Sequence, residues 1–162
     1  MTENRFVVGI DLGTTNSVLA YADLTEKADM PKINILAVPQ IMRPGVIESC
    51  PLLPSFLYLA TENELSGGGL MLPCDKNRNY ILGEYARHRG QEAPERLISS
   101  AKSWLCATGV DRRSRLLPCK ASEDAQKISP VEASTLILEY LSEVWNRTVA
   151  ANKKNAELKQ QR

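Results

Sequence analysis

The sequence predicts a mixed fold, α/β or α+β, with three strands first and a strong helix last. Three observations carry that reading. Phe6, Val7, Val8 and Ile10 form a nearly continuous β-branched and aromatic run, which breaks at "DLGTTN" and resumes from Ser17 to Asp23. "KINILAV", Lys32 to Val38, alternates apolar and polar residues as a third strand would, and Pro39 ends it. Near the other end, "SPVE" at Ser129 to Glu132 opens a long stretch with helical periodicity.

The elements follow in order. Arg5 to Asp11 lacks a polar face, so it suits a strand covered on both sides. The short turn after it makes a hairpin with Ser17 to Asp23. Gln40 to Pro54 holds Pro44, Gly45, Pro51 and Pro54 and reads as loop. Ser55 to Ala60 and Tyr80 to Gly83 read as short strands around an irregular stretch that contains Gly67, Gly68 and Gly69. Those glycines lack a following Lys-Ser/Thr, so they read as a flexible turn and not as a phosphate loop. Two helices are expected next, Glu84 to Glu92 and Pro94 to Ala107, the second with Leu97, Ile98, Ala101, Trp104 and Leu105 on one stripe. Arg112 to Asp124 reads as polar linker. In the last helix Ser129 can cap, Pro130 suits the first position and Glu132 completes a capping box. Ala133, Ile137, Tyr140, Leu141, Val144 and Trp145 then mark a core face. From Lys153 to Arg162 the chain is polar all round, a solvated helix end or a helix lacking its partner.

Composition removes several function classes. The 162 residues carry 20 basic and 19 acidic side chains, a net charge of +1, so no strong field attracts nucleic acid or an anionic membrane. Cys50, Cys74, Cys106 and Cys119 are far apart and His88 is the single histidine, which argues against zinc. No apolar leader precedes the first strand and no stretch is long enough to span a membrane. The expectation is a reduced, cytoplasmic protein with free thiols, in which the sequon Asn146-Arg147-Thr148 is chance.

The opening turn carries more polar groups than a turn needs. Gly13 can adopt a positive φ, and successive N–H groups around Gly13, Thr14 and Thr15 can converge on an anion. The hydroxyls of Thr14 and Thr15 and the amide of Asn16 add donors, and Asp11 offers a hard oxygen that suits Mg²⁺ directly or through water. Together they could hold a polyphosphate and its metal. The bland alternative is a hairpin whose Asp, Thr and Asn merely satisfy turn hydrogen bonds.

"GIDLGTTNS" resembles the first phosphate loop of the DnaK-type heat-shock chaperone family, within the actin/sugar-kinase/chaperone ATPase superfamily. "LPSFLYL", "LGEYARHRGQEAPERLISSAKSWLC" and "ISPVEASTLILEYLSEVW" resemble later landmarks of that family, in family order and over most of the chain. Leu53 stands where the family has threonine in the second of these. The resemblance implies an actin-like (ribonuclease H-like) first lobe, incomplete, with a small inserted α+β subdomain. It divides the chain into residues 1–39 with the phosphate loop, residues 40–128 as inserted subdomain and linker, and residues 129–162 as the lobe's long helix. It implies ATP or ADP with Mg²⁺ as ligands, hydrolysis coupled to protein folding and the stress response, and client proteins and co-chaperones as partners. Asp11 would order the Mg²⁺ shell, and Gly13, Thr14, Thr15 and Asn16 would contact the phosphates. Arg87 falls where the family has its catalytic lysine; it keeps the charge but differs in bulk and shape. His88, Arg89 and Lys102 are expected at the surface. The family's second phosphate loop and adenosine pocket have no counterpart in these 162 residues, so the expectation is a fragment with reduced activity. A sugar-kinase-like fragment and a non-catalytic interaction module remain alternatives.

Overall fold

The computed structural model describes residues 5–26, 30–72 and 78–161; Cys74 and part of the irregular stretch before Tyr80 lie outside them. The strands in chain order are β1 (Phe6–Leu12), β2 (Asn16–Asp23), β3 (Asn34–Ile35), β4 (Val38–Arg43), β5 (Val46–Cys50), β6 (Leu53–Pro54), β7 (Leu57–Leu59), β8 (Tyr80–Leu82) and β9 (Leu97–Ile98). The helices are α1 (Glu62–Ser66), α2 (Glu84–Glu92), α3 (Ala101–Leu105) and α4 (Pro130–Arg147). Every strand pair among the described residues is antiparallel, so the chain is of the α+β class.

Three sheets result: a four-stranded one in which β2 pairs with β1, β3 and β6, a β4–β5 ribbon, and β8–β7–β9. The opening hairpin forms as expected, in register from Phe6↔Asp23 to Leu12↔Ser17. Its inner face rests on α4, whose six expected core residues are all buried. Phe6 and Tyr21 meet the Trp145 ring edge-on, at centroid distances of 5.2 and 5.1 Å. Such contacts add to the area these large rings remove from water. The helix starts as the sequence dictates: Ser129 Oγ accepts from Glu132 N at 3.1 Å and Glu132 Oε2 accepts from Ser129 N at 2.7 Å.

Several expectations are corrected. β1 is not covered on both faces: Val7 is 44% and Ile10 40% exposed, and β1 is an edge strand. The third strand shrinks to Asn34–Ile35, and Val38 belongs to β4. Residues 40–54 are no loop. Pro39 tolerates a place in β4 because a two-stranded ribbon leaves outward N–H positions unused. Gly45, with φ +77°, turns the chain into β5. The expected helix Pro94 to Ala107 breaks into a 3₁₀ turn at Pro94–Arg96, β9 and α3, with Ser100 left-handed at φ 56°. Pairing of Leu97 and Ile98 with Tyr58 and Leu57 overrides the helical spacing. Within the supposed linker, Leu117 is buried and bridges to Ile128. α1 is a helix the sequence reading lacked, held by a Thr61–Glu64 capping box.

The polar tail is mostly exposed, as expected, but it is not a helix end: α4 stops at Arg147 and the tail forms only a 3₁₀ turn at Leu158–Gln160. It folds back so that Ala156 is buried and its carbonyl accepts from Trp145 Nε1 at 2.8 Å. Leu158 N donates to Asn146 Oδ1 at 2.9 Å, and Gln161 Oε1 accepts from Phe6 N at 3.0 Å. A polar sequence thus clasps the core through hydrogen bonds, which hydrophobic periodicity does not register.

Candidate functional site

The tip of the first hairpin carries Asp11, Gly13, Thr14, Thr15 and Asn16 within one turn. Gly13 is required there for a different reason from the one the sequence suggested. Its φ is not among the positive ones; instead a Cβ would lie 2.1 Å from the Asn16 carbonyl oxygen. No side chain fits that approach, so the turn closes only around glycine.

The rear of the loop is anchored. Asn16 and Ser17 oppose Pro54 and Leu53 in β6, and Thr15 O accepts from Ser55 N at 2.8 Å. Behind it, the Ser17 and Ser55 hydroxyls share a hydrogen bond of 2.9 Å in the buried interior. The front is open. Asp11, Thr14 and Thr15 are exposed, and Gly13 and Asn16 are half-buried. Among the described residues, nothing accepts from the N–H groups of Gly13, Thr14 and Thr15, and nothing pairs with the Asp11 carboxylate or the two threonine hydroxyls. A fixed base therefore presents a cluster of unpartnered donors beside one carboxylate.

Arg87 stands apart from that cluster. It lies on α2, whose start is tied to the same neighbourhood because Gly83 N donates to Phe56 O at 3.1 Å, one residue beyond Ser55. Its side chain is 45% exposed and pairs with Glu84 Oε1 at 2.5 Å, an oxygen that also receives His88 Nε2 at 3.0 Å. No hydrogen bond or ion pair among the described residues joins Arg87 to the loop. His88 and Lys102 are exposed as expected. Arg89 is not a free surface charge: its Nε donates to Glu64 Oε1 at 2.8 Å and it lies over the Tyr58 ring.

That Glu64 is structural. Burial pushes its pKa up, but hydrogen bonds from Thr61 N, Arg89, Thr61 Oγ1 and Tyr58 OH outweigh burial and lower it to about 2. Tyr58, for its part, is raised to about 12 by burial and by its bond to that carboxylate.

Sequence reasoning missed Ser17, Ser55 and Gln40, the residues that fix the site from behind. Gln40 is buried; its Nε2 donates to Leu52 O at 2.7 Å and its Oε1 accepts from Glu84 N at 3.2 Å, linking β4 to α2. Ser55 and Gln40 each stand in an otherwise apolar run, and a buried polar group needs a partner; Ser17 follows three polar residues and carries no such mark.

Among the described residues no three His, Cys, Asp or Glu side chains gather as a metal site. A lone carboxylate with exposed donors still fits Mg²⁺ that arrives with phosphate, since that ion keeps most of its waters. Cys50, Cys106 and Cys119 are free thiols. No described helix is long and apolar enough to cross a membrane. Compared with known proteins, the chain matches no family model and no curated protein.

Proposed function

We infer that this chain is the opening part of an ATP-binding, ATP-hydrolysing chaperone domain of the DnaK type, with the turn Asp11–Asn16 as its first phosphate-binding element. In this reading the four-stranded sheet and α4 belong to an actin-like lobe of a cytoplasmic protein, and clients and co-chaperones are the partners of the intact assembly. The observation that carries it is the set of unpartnered N–H and hydroxyl donors at Gly13, Thr14 and Thr15, held on a base fixed by Ser55. Donors already in place bind an anion without a reorganisation cost.

Asp11 would hold Mg²⁺ directly or through water, and the amides of Gly13 to Thr15, the threonine hydroxyls and Asn16 would grip phosphate oxygens. Arg87 supplies a second positive charge once it exchanges Glu84 for phosphate, and its planar fork makes it a binder more than a mimic of an ammonium.

Calorimetric titration of Mg-ATP into the chain tests this. Heat is expected, weakened about tenfold or more by Asp11→Asn and by Thr14→Val, each of which removes an interaction with a charged ligand. A folded sample that gives no heat, or heat indifferent to both substitutions, overturns the reading.

A further inference from the structure

A cavity of about 290 Å³ lies between the segment that runs from Pro94 through β9 into α3 and the segment around Leu117. None of its lining residues belongs to the Asp11–Asn16 turn, to β1 or to α2. Its apolar part includes Ile98 and Leu117, both buried, and the half-buried Trp104. Burial and an aromatic side chain of that kind give a small apolar body something to displace water from.

Four polar residues complete the lining: Ser99, Ser100, Cys119 and Lys120. Among the described residues none of their side chains has a hydrogen-bond or ion-pair partner. Ser100 is the most telling of them. It stands directly before α3, where a serine hydroxyl ordinarily caps the helix, yet it makes no such bond. Its backbone is also left-handed at φ 56°, a conformation that non-glycine residues adopt at ligand clamps as well as in turns. Buried apolar walls joined by a few unsatisfied polar groups are the form that small-molecule sites take. Lys120 is the single charged residue of the lining, so the cavity suits an anion and offers nothing to an amine.

We propose that this cavity binds a small carboxylate carried on one ring or a short apolar chain. The apolar body rests against Trp104, Ile98 and Leu117, and the carboxylate accepts from Lys120 and the two serine hydroxyls. The volume lies at the lower end of ligand cavities, which limits the occupant to about ten non-hydrogen atoms. A ligand that small, held by an exposed lysine, binds with a Kd of about 0.1–1 mM. Because the phosphate-binding turn contributes no wall, binding here is independent of Mg-ATP.

Phenylacetate is a suitable probe, and phenethylamine, with a similar body and the opposite charge, is its control. Titrated to about 10 mM into the isotope-labelled 162-residue chain, phenylacetate should shift the amides of Ser99, Ser100 and Cys119 saturably. Phenethylamine should not. Peptide-resolved alkylation should show Cys119 protected, while Cys106, exposed but outside the lining, reacts as before. Lys120→Gln alters an exposed side chain and keeps the fold; it should weaken binding about fivefold. Ser100→Gly retains the left-handed backbone, removes the hydroxyl and should weaken binding about twofold or more. A folded chain with no saturable shift at these amides overturns the proposal, as does binding indifferent to both substitutions. Phenethylamine binding as well as phenylacetate also overturns it, by assigning the cavity to its apolar walls alone.

Discussion

The hairpins β1–β2 and β4–β5 are both antiparallel and both turn on a glycine, yet they depend on different physics. The first lays Phe6 and Tyr21 against Trp145, and its turn closes around Gly13 because the Asn16 carbonyl fills the space of a Cβ. The second is mostly exposed along β5, and it touches α4 through the Tyr140 hydroxyl, which donates to Pro39 O. Its Gly45 has open space around it and is demanded only by φ +77°. The first packs on α4 and its turn carries the candidate site; the second packs through β4 alone, where Val38, Gln40 and Ile41 are buried, and turns on a permissive backbone angle.

The sharpest way to break that contrast is at the helix. Trp145→Ala removes a fully buried ring from between Phe6 and Tyr21 and costs about 3–5 kcal/mol. Domains of this size hold only about 5–15 kcal/mol in all, so a large share of the stability goes with it. Tyr140→Phe, the corresponding anchor of the second hairpin, forfeits one hydrogen bond and costs about 1 kcal/mol. Urea midpoints measure both. Equal losses would mean that the hairpins lean on α4 alike.

The glycines come next. Gly13→Ala sets a Cβ 2.1 Å from the Asn16 carbonyl oxygen, forces the backbone apart and should cost about 1–3 kcal/mol, with Mg-ATP heat lost as well. Gly45→Ala meets no atom and only strains a left-handed residue, by about 1 kcal/mol, and leaves the heat unchanged. If Gly45→Ala proved the costlier of the two, closure of the first turn would not be sterically set.

The same contrast explains what the sequence disclosed. Phe6 to Ile10 was legible as a strand because β-branched and aromatic residues favour one, and the face from Ala133 to Trp145 because burial writes its period directly into residue type. The capping box at Ser129 and Glu132 was legible because caps are local. The second hairpin was hidden by Pro39 and Pro44, residues that read as loop unless an unused outward N–H is known in advance. Leu97 and Ile98 carried helical spacing and became a strand, because their partners Tyr58 and Leu57 lie some forty residues away in sequence. At the site, Asp11 to Asn16 was readable as a cluster. Its support was not: the bond between Ser17 and Ser55 joins positions that no local pattern relates. The openness of β1 also escaped, since an apolar strand reads as buried whether or not anything covers it.

The smallest expected effect concerns the base of the first hairpin. Asp23 accepts from Arg5 at 2.8 Å, and Thr25 adds a backbone and a hydroxyl donor. Burial raises its pKa, but those bonds and the Arg5 charge prevail and hold it at about 2, below the ordinary 3.8. A depressed carboxylate stabilises the fold above its unfolded pKa and ceases to do so as pH falls through its folded one. Asp23 therefore contributes fully above about pH 4 and progressively less toward pH 2. Because Arg5 is partly exposed, the contribution is about 1 kcal/mol or less. The β4–β5 ribbon has no ion pair among the described residues and lacks this acid-sensitive clamp. Melting the chain and Asp23→Asn side by side from pH 7 to pH 2 isolates it. The two curves should differ by a few degrees at pH 7 and converge at the acid end. A gap that persists at pH 2 would show that Asp23 acts through packing and not through its charge.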